Sequence, residues 1–291
     1  SFPDFSRLCS HPEWQHLSET ADAADLPCMR VLSYLSDLPG KEGLFFHAYC
    51  EGGDSGRLYF SCKNGQRIQA IRDCIQWWYR SCLISDLEFC WLLACLVESA
   101  DRVANTASVY GAFLKHIKPL AQKPLRLVPI EPSDHFSSEG HTAYCADSLQ
   151  LLNALSGQLF DFVYIDPPYN SRQYSANYHI LETIARWDLD SFSPRGLTGL
   201  RPEDEKRSLF SLRRRAKDSF ETLFSRLSCR VGMFSYNNEG LLSESDLLGI
   251  VGRYFTQTTI HKVDHKRFCA DQSDQRQYSA DRTEEWLVVF R

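Results

Sequence analysis

The stretch that most limits what this chain can become is Phe160-Asp-Phe-Val-Tyr-Ile165, which runs without a break into Asp166-Pro167-Pro168-Tyr169. The first six positions read as an apolar strand, and proline cannot continue a ladder because it has no N–H to donate. The tetrapeptide therefore sits at the carboxyl end of a strand, where open α/β sheets place their ligands. Two consecutive prolines fix φ and remove two donors, leaving the Asp166 carboxylate and the intervening carbonyls as a rigid set of acceptors. Such a set suits an exocyclic amino group, and Tyr169 offers a flat face to a ring. A strand that merely ends at a proline turn is the plainer reading of the same residues.

The rest of the chain supplies context. At 291 residues it is longer than one ordinary domain, so a core plus an insert is expected, with residues 1–125 and 126–291 as the two parts. The pattern is weak up to Gly43, apart from a helix expected over 29–38. Short aromatic runs at 44–49 and 57–62 flank Glu51-Gly52-Gly53-Asp54-Ser55-Gly56, the composition of a hairpin with a longer loop. From Asn64, Ile68, Ile71, Ile75 and Trp78 fall on one helical face. Ser85-Asp86-Leu87-Glu88 is a capping box that opens a helix, apolar nearly all round over 89–97. Pro119, Pro124, Pro129 and Pro132 break any helical period, marking a boundary over 118–132. Beyond it strand-like and helix-like runs alternate, at 142–146, 148–155, 160–165, 177–187, 216–227 and 231–236. That order implies βαβ units and a mainly parallel sheet. Runs at 256–261 and 286–290 suggest an antiparallel hairpin at its edge.

The 11 cysteines are scattered, without C-x-x-C pairs or histidines at ligand spacing, so a metal is not expected. Cys74, Cys90 and Cys95 lie among apolar residues at helical spacing, as small hydrophobes, which suits a reducing cytoplasm. No apolar run approaches the roughly 20 residues that cross a bilayer, and nothing resembles a signal peptide. The net charge of -5 excludes a chain coated in positive charge but leaves room for one basic cleft.

Three blocks together carry a resemblance. They are Glu98-Ser-Ala-Asp-Arg-Val-Ala-Asn-Thr-Ala-Ser-Val-Tyr-Gly-Ala-Phe-Leu-Lys115, then Asp166-Pro-Pro-Tyr-Asn-Ser-Arg-Gln-Tyr-Ser-Ala-Asn-Tyr-His-Ile-Leu-Glu-Thr-Ile-Ala185, and Phe234-Ser-Tyr-Asn-Asn-Glu-Gly240. In these the chain resembles the D12 (Dam-like) class of adenine-N6 DNA methyltransferases. The resemblance implies an α/β fold: a Rossmann-like, S-adenosylmethionine-dependent methyltransferase core with a helical and hairpin insert that recognises the target. It implies that Asp166, Pro167, Pro168 and Tyr169 hold a flipped-out adenine while S-adenosylmethionine supplies the methyl group. No covalent nucleophile is needed, so the thiols are not catalytic.

Asp147, with Ser148 and Asp166, is placed to meet the cofactor, although Asp147 reads equally well as an N-cap for the helix that follows. Ser235-Tyr236-Asn237-Asn238 likewise ends a strand and so borders the same crevice, and a turn with Asn in left-handed conformation is the alternative. Arg172, Gln173, Tyr174, Asn237, Lys266 and Arg267 are expected on double-stranded DNA, and the basic stretch 206–217 is a further candidate. A cognate restriction endonuclease is an expected partner.

The family's Phe-x-Gly-x-Gly cofactor loop is not found. The turn from Gly52 to Gly56 is followed by a strand-like run rather than by the helix such a loop opens. The expectation is that the chain begins after that loop in a longer enzyme, or is a truncated relative. Three other readings stay open: a non-catalytic DNA-binding remnant, the same chemistry on cytosine N4 or RNA, and a metal protein built on the cysteines.

Overall fold

The computed structural model describes residues 2–17, 26–107, 109–131, 140–202, 207–266 and 282–291. It divides into two units, Ser1–Ser138 with Ser175–Glu203, and Glu139–Tyr174 with Asp204–Arg291. In chain order, α1 (Ser6–Ser10), α2 (Pro27–Asp37), α3 (Leu44–Tyr49), α4 (Cys62–Arg80), α5 (Asp86–Arg102) and α6 (Pro119–Gln122) come first. Then follow α7 (Ser148–Ala154), β1 (Phe160–Ile165), α8 (Tyr174–Asn177), α9 (His179–Arg186), α10 (Ala216–Arg226) and β2 (Cys229–Asn237). The last elements are α11 (Glu244–Tyr254), β3 (Thr258–Lys266) and β4 (Arg282–Phe290).

The first unit is helical, and its core forms on the stripe that the spacing predicts. Ile68, Ile71, Ile75 and Trp78 of α4 are all buried, against Leu92, Cys95 and Leu96 of α5 in the same cluster. The capping box is present: Ser85 Oγ accepts from the Glu88 N–H at 3.3 Å and Glu88 Oε2 accepts from the Ser85 N–H at 2.7 Å. Cys90 is exposed rather than packed, because α5 turns that side outward.

The expected hairpin over 44–62 is corrected. Its first arm is the helix α3, and its second makes only an isolated bridge, Cys50 with Phe60. The apolar residues of α3 do not alternate; Phe45, Phe46 and Tyr49 share one buried face. Its unpaired N-terminal donors find an acceptor far away in sequence, since Gln69 Oε1 on α4 receives the Phe45 N–H at 3.0 Å and the Phe46 N–H at 3.4 Å. The glycine turn then folds back on α3. A Cβ on Gly53 would lie 2.5 Å from the Phe46 carbonyl oxygen, so only glycine fits. No helix opens directly from that turn, whose Gly53, Ser55 and Gly56 N–H groups bond the carbonyls of Cys50, His47 and Gly53.

The second unit is a mixed α/β layer with strand order β1-β2-β4-β3. β1 and β2 are parallel, with Phe162 opposite Val231 and Ile165 opposite Phe234, while β4 runs antiparallel to both β2 and β3. The expectation of a mainly parallel sheet is thus corrected among the described strands. The hairpin expected of the last two strands is there, and its second arm inserts inside the sheet. Gly232 explains how β4 fits: the Phe290 ring occupies the space above it, where a Cβ would lie 2.0 Å from Cε2. Residues 142–146 are not a strand. They are exposed throughout and lack a described strand to pair with. Phe220 and Phe224 of α10 pack on Phe234 of β2, and Phe224 also meets Phe290 of β4. β1 is the edge of the described sheet, and its Phe162 and Tyr164 are each 54% exposed.

Candidate active site

Ile165 makes the last register pair of β1, and Asp166 leaves the sheet directly after it. The Asp166 carboxylate is exposed and has no hydrogen bond or ion pair among the described residues. Pro167 is buried and Pro168 half-buried beneath it, while Tyr169 is 37% exposed. The far end of this loop is tied down through the Tyr169 carbonyl, which accepts the Leu241 N–H at 2.9 Å and the Tyr236 hydroxyl at 3.4 Å. Partial burial raises the pKa of the Tyr169 hydroxyl, and the carboxylates of Glu285, Glu239 and Asp166 push the same way against Arg172. The phenol therefore stays neutral at physiological pH.

The loop continues into an Asx turn, in which Asn170 Oδ1 accepts from the Arg172 N–H at 2.9 Å. Arg172 is exposed and its carbonyl accepts the Ser211 hydroxyl at 3.2 Å. Gln173, expected on DNA, is half-buried and pairs with the Ser208 backbone: Oε1 accepts the Ser208 N–H at 2.8 Å and Nε2 donates to the Ser208 carbonyl at 3.2 Å. Tyr174 is exposed at the start of α8.

Asn237, expected at the crevice and on DNA, is buried. It is 2% exposed, donates to Glu285 Oε1 at 3.5 Å and accepts the Glu239 N–H at 3.1 Å. Nor does it adopt a left-handed conformation. Asp147 is an N-cap, its Oδ1 accepting the Leu149 and Gln150 N–H groups at 3.0 Å each, with Ser148 exposed beside it. Lys266 ends β3 opposite Arg282, and Arg267 lies outside the described residues. Within the basic stretch, Lys206 also lies outside, Lys217 pairs with Asp246 at 2.6 Å, and Arg213, Arg214 and Arg215 are exposed without an ion pair among the described residues.

Chemically, the loop offers a solvent-facing carboxylate and a backbone whose prolines supply carbonyls without donors. The carboxylate and the proline residues accept hydrogen bonds and give none, which fits an N–H₂ group. Among the described residues no group of His, Cys, Asp or Glu is placed to hold a metal, and no helix is long and apolar enough to cross a membrane. Burial pushes the Cys74 thiol up to about 12 and the Cys95 thiol to about 11, so neither is a nucleophile at neutral pH. Sequence reasoning placed Tyr236 at the crevice but missed the bonds its hydroxyl makes and the space that Gly240 leaves for its ring. The one local signal was a glycine four residues past an aromatic at a strand end.

Comparison with known proteins finds a family model and several relatives. The family model for D12 class N6 adenine-specific DNA methyltransferase matches residues 32–237. The Type II methyltransferase M.NlaIII of Neisseria lactamica is 43% identical over 260 residues, covering 89% of this chain and 75% of that protein. M.CviAII of Paramecium bursaria Chlorella virus 1 is 34% identical over 251 residues, or 82% of this chain and 70% of the relative. M.FokI of Planomicrobium okeanokoites is 35% identical over 225 residues, 76% of this chain but 34% of the longer relative. No solved structure matches.

Proposed function

Because this chain belongs to the D12 class of N6 adenine-specific DNA methyltransferases, we propose that Asp166, Pro167, Pro168 and Tyr169 form the pocket in which adenine N6 receives its methyl group. The observation that carries this reading is the exposed, unpaired Asp166 carboxylate at the end of β1, on a loop whose prolines remove competing donors. The carboxylate and a loop carbonyl accept the two N–H bonds of the amino group, which draws its lone pair out of conjugation with the ring. As positive charge develops on N6, the same carboxylate stabilises it without reorganising. Tyr169 packs its ring on the base. An adenine in the duplex is out of reach, so the base leaves the stack before reacting.

The family's reaction requires a methyl donor, and we assign S-adenosylmethionine, which when bound supplies an electrophilic methyl group on sulfur. On this chain the residues suited to its polar groups are Asp147, Ser148 and Asp166, all exposed. The fit is partial, since the glycine turn at 52–56 is folded against α3 and its Gly53, Ser55 and Gly56 N–H groups already bond backbone carbonyls. Arg172 and Tyr174, exposed just past the loop, are proposed to face the DNA. The Type II names of the relatives support a role beside a restriction endonuclease of the same target sequence.

Replacing Asp166 by Ala is expected to lower methyl transfer by about a hundredfold or more, the usual cost of losing one preorganised stabilising group. Nucleoside analysis of the treated DNA measures it. Undiminished N6-methyladenine from the variant would remove Asp166 from the mechanism.

A further inference from the structure

We infer that Tyr236 is a positioning residue for methyl transfer, its buried hydroxyl locking the turn after β2 onto the carbonyl of Tyr169 and so holding the Asp166–Tyr169 loop in place. The inference rests on the reading of that loop as the adenine pocket. Tyr236 is 1% exposed, with its ring among Phe234, Phe220 and Trp286 at centroid distances of 5.5, 5.8 and 6.4 Å. Its hydroxyl oxygen accepts the Leu241 N–H at 2.9 Å and the Leu242 N–H at 3.2 Å, and its proton goes to the Tyr169 carbonyl at 3.4 Å. The Leu241 N–H reaches that carbonyl too, at 2.9 Å. One hydroxyl is therefore the hub joining two loops.

Gly240 makes the hub possible. A Cβ there would lie 2.2 Å from Cε1 and 2.6 Å from Cζ of Tyr236, so any other residue displaces the ring or the turn. The arrangement has a mechanical consequence. β2 grips both ends of the catalytic loop, through the Ile165–Phe234 pair at one end and through Tyr236 at the other. Between these grips the two prolines leave little torsional freedom. The Asp166 carboxylate is thus aimed by residues that never touch the base, and small errors of aim are costly in reactions that depend on alignment.

The test compares the full chain with Tyr236→Phe, Gly240→Ala and Asp166→Ala. For Tyr236→Phe the expected result is a kcat about tenfold lower, the worth of roughly one hydrogen bond, with KM for DNA and for S-adenosylmethionine unchanged. Amide hydrogen exchange at Leu242 should speed up, a readout that needs no activity. Gly240→Ala should give the same kcat loss, and combining it with Tyr236→Ala, which clears the space, should add nothing further. A normal kcat per folded molecule in Tyr236→Phe, beside an inactive Asp166→Ala, would overturn this inference alone; so would unchanged exchange at Leu242. Full activity in Asp166→Ala would instead remove the pocket reading on which it rests.

Discussion

Arg72 sits in the middle of the apolar stripe of α4, 1% exposed, and its charge is met by backbone oxygen rather than by a carboxylate. Nε donates to the Ile184 carbonyl at 2.8 Å and Nη2 to that of Ala185 at 3.1 Å, while Nη1 bonds Gln76 Oε1 at 2.8 Å. The guanidinium lies near the faces of Phe89 and Trp187. Burial pulls its pKa down to about 10, which leaves it protonated at neutral pH. It thereby closes the carbonyl end of α9, and its neighbour Asp73 takes the Trp187 indole N–H at 2.7 Å. None of this was legible. The periodicity that found Ile68, Ile71, Ile75 and Trp78 says nothing of Arg72, because the two carbonyls it bonds are 112 and 113 residues further along the chain. Arg72→Met keeps the bulk and strips the donors from two buried carbonyls, so we expect a loss of about 3 kcal/mol, given the strength of charge-assisted bonds. Urea unfolding should show it as a lower midpoint at unchanged slope; a shift under a quarter of that would mean that water replaces the side chain.

Elements were readable in proportion to how local their signals are. The start of α5 is encoded within four consecutive residues, so its capping box was found and is formed. The start of α3 is encoded at Gln69, on another helix, so a buried helix was mistaken for a strand. Residues 142–146 failed for the related reason that a strand exists only by its neighbours, whereas β1 was secure because the prolines behind it leave few alternatives. The two helix starts should also differ in what they contribute. Ser85→Ala removes a partly buried cap and should cost about 1 kcal/mol. Gln69→Ala strands two buried N–H groups and should cost about 2 kcal/mol or more. Thermal or urea denaturation of both variants checks the order; an equal or reversed cost would mean that α3 caps itself.

For the molecule as a whole, the difficulty is a net charge of -5 on a chain whose substrate is a polyanion. Binding DNA then demands that positive charge be concentrated where the phosphates pass. The shape of the Asp166–Tyr169 loop was legible because strand, prolines and carboxylate are contiguous, but a phosphate track is assembled from side chains whose only signature is exposure without a partner. Lys266 and Arg267 were the sequence's preferred pair, and the structure leaves the side chain of the first and all of the second outside description. Arg213, Arg214 and Arg215 meet the physical criterion: exposed, contiguous, unpaired among the described residues, and in the same unit as Asp166. Lys217 does not, since Asp246 already neutralises it. If these arginines meet phosphates, each releases about one counterion when it binds, and log K falls with log salt by roughly 0.9 per contact. Changing all three to Gln should therefore weaken binding to target and non-target duplexes alike and reduce the salt slope by up to about 3. kcat at saturating DNA should not change, because the acceptor loop is untouched. A variant with the wild-type slope would place the phosphate track elsewhere, and a loss confined to the target sequence would make these arginines readers of bases rather than of charge.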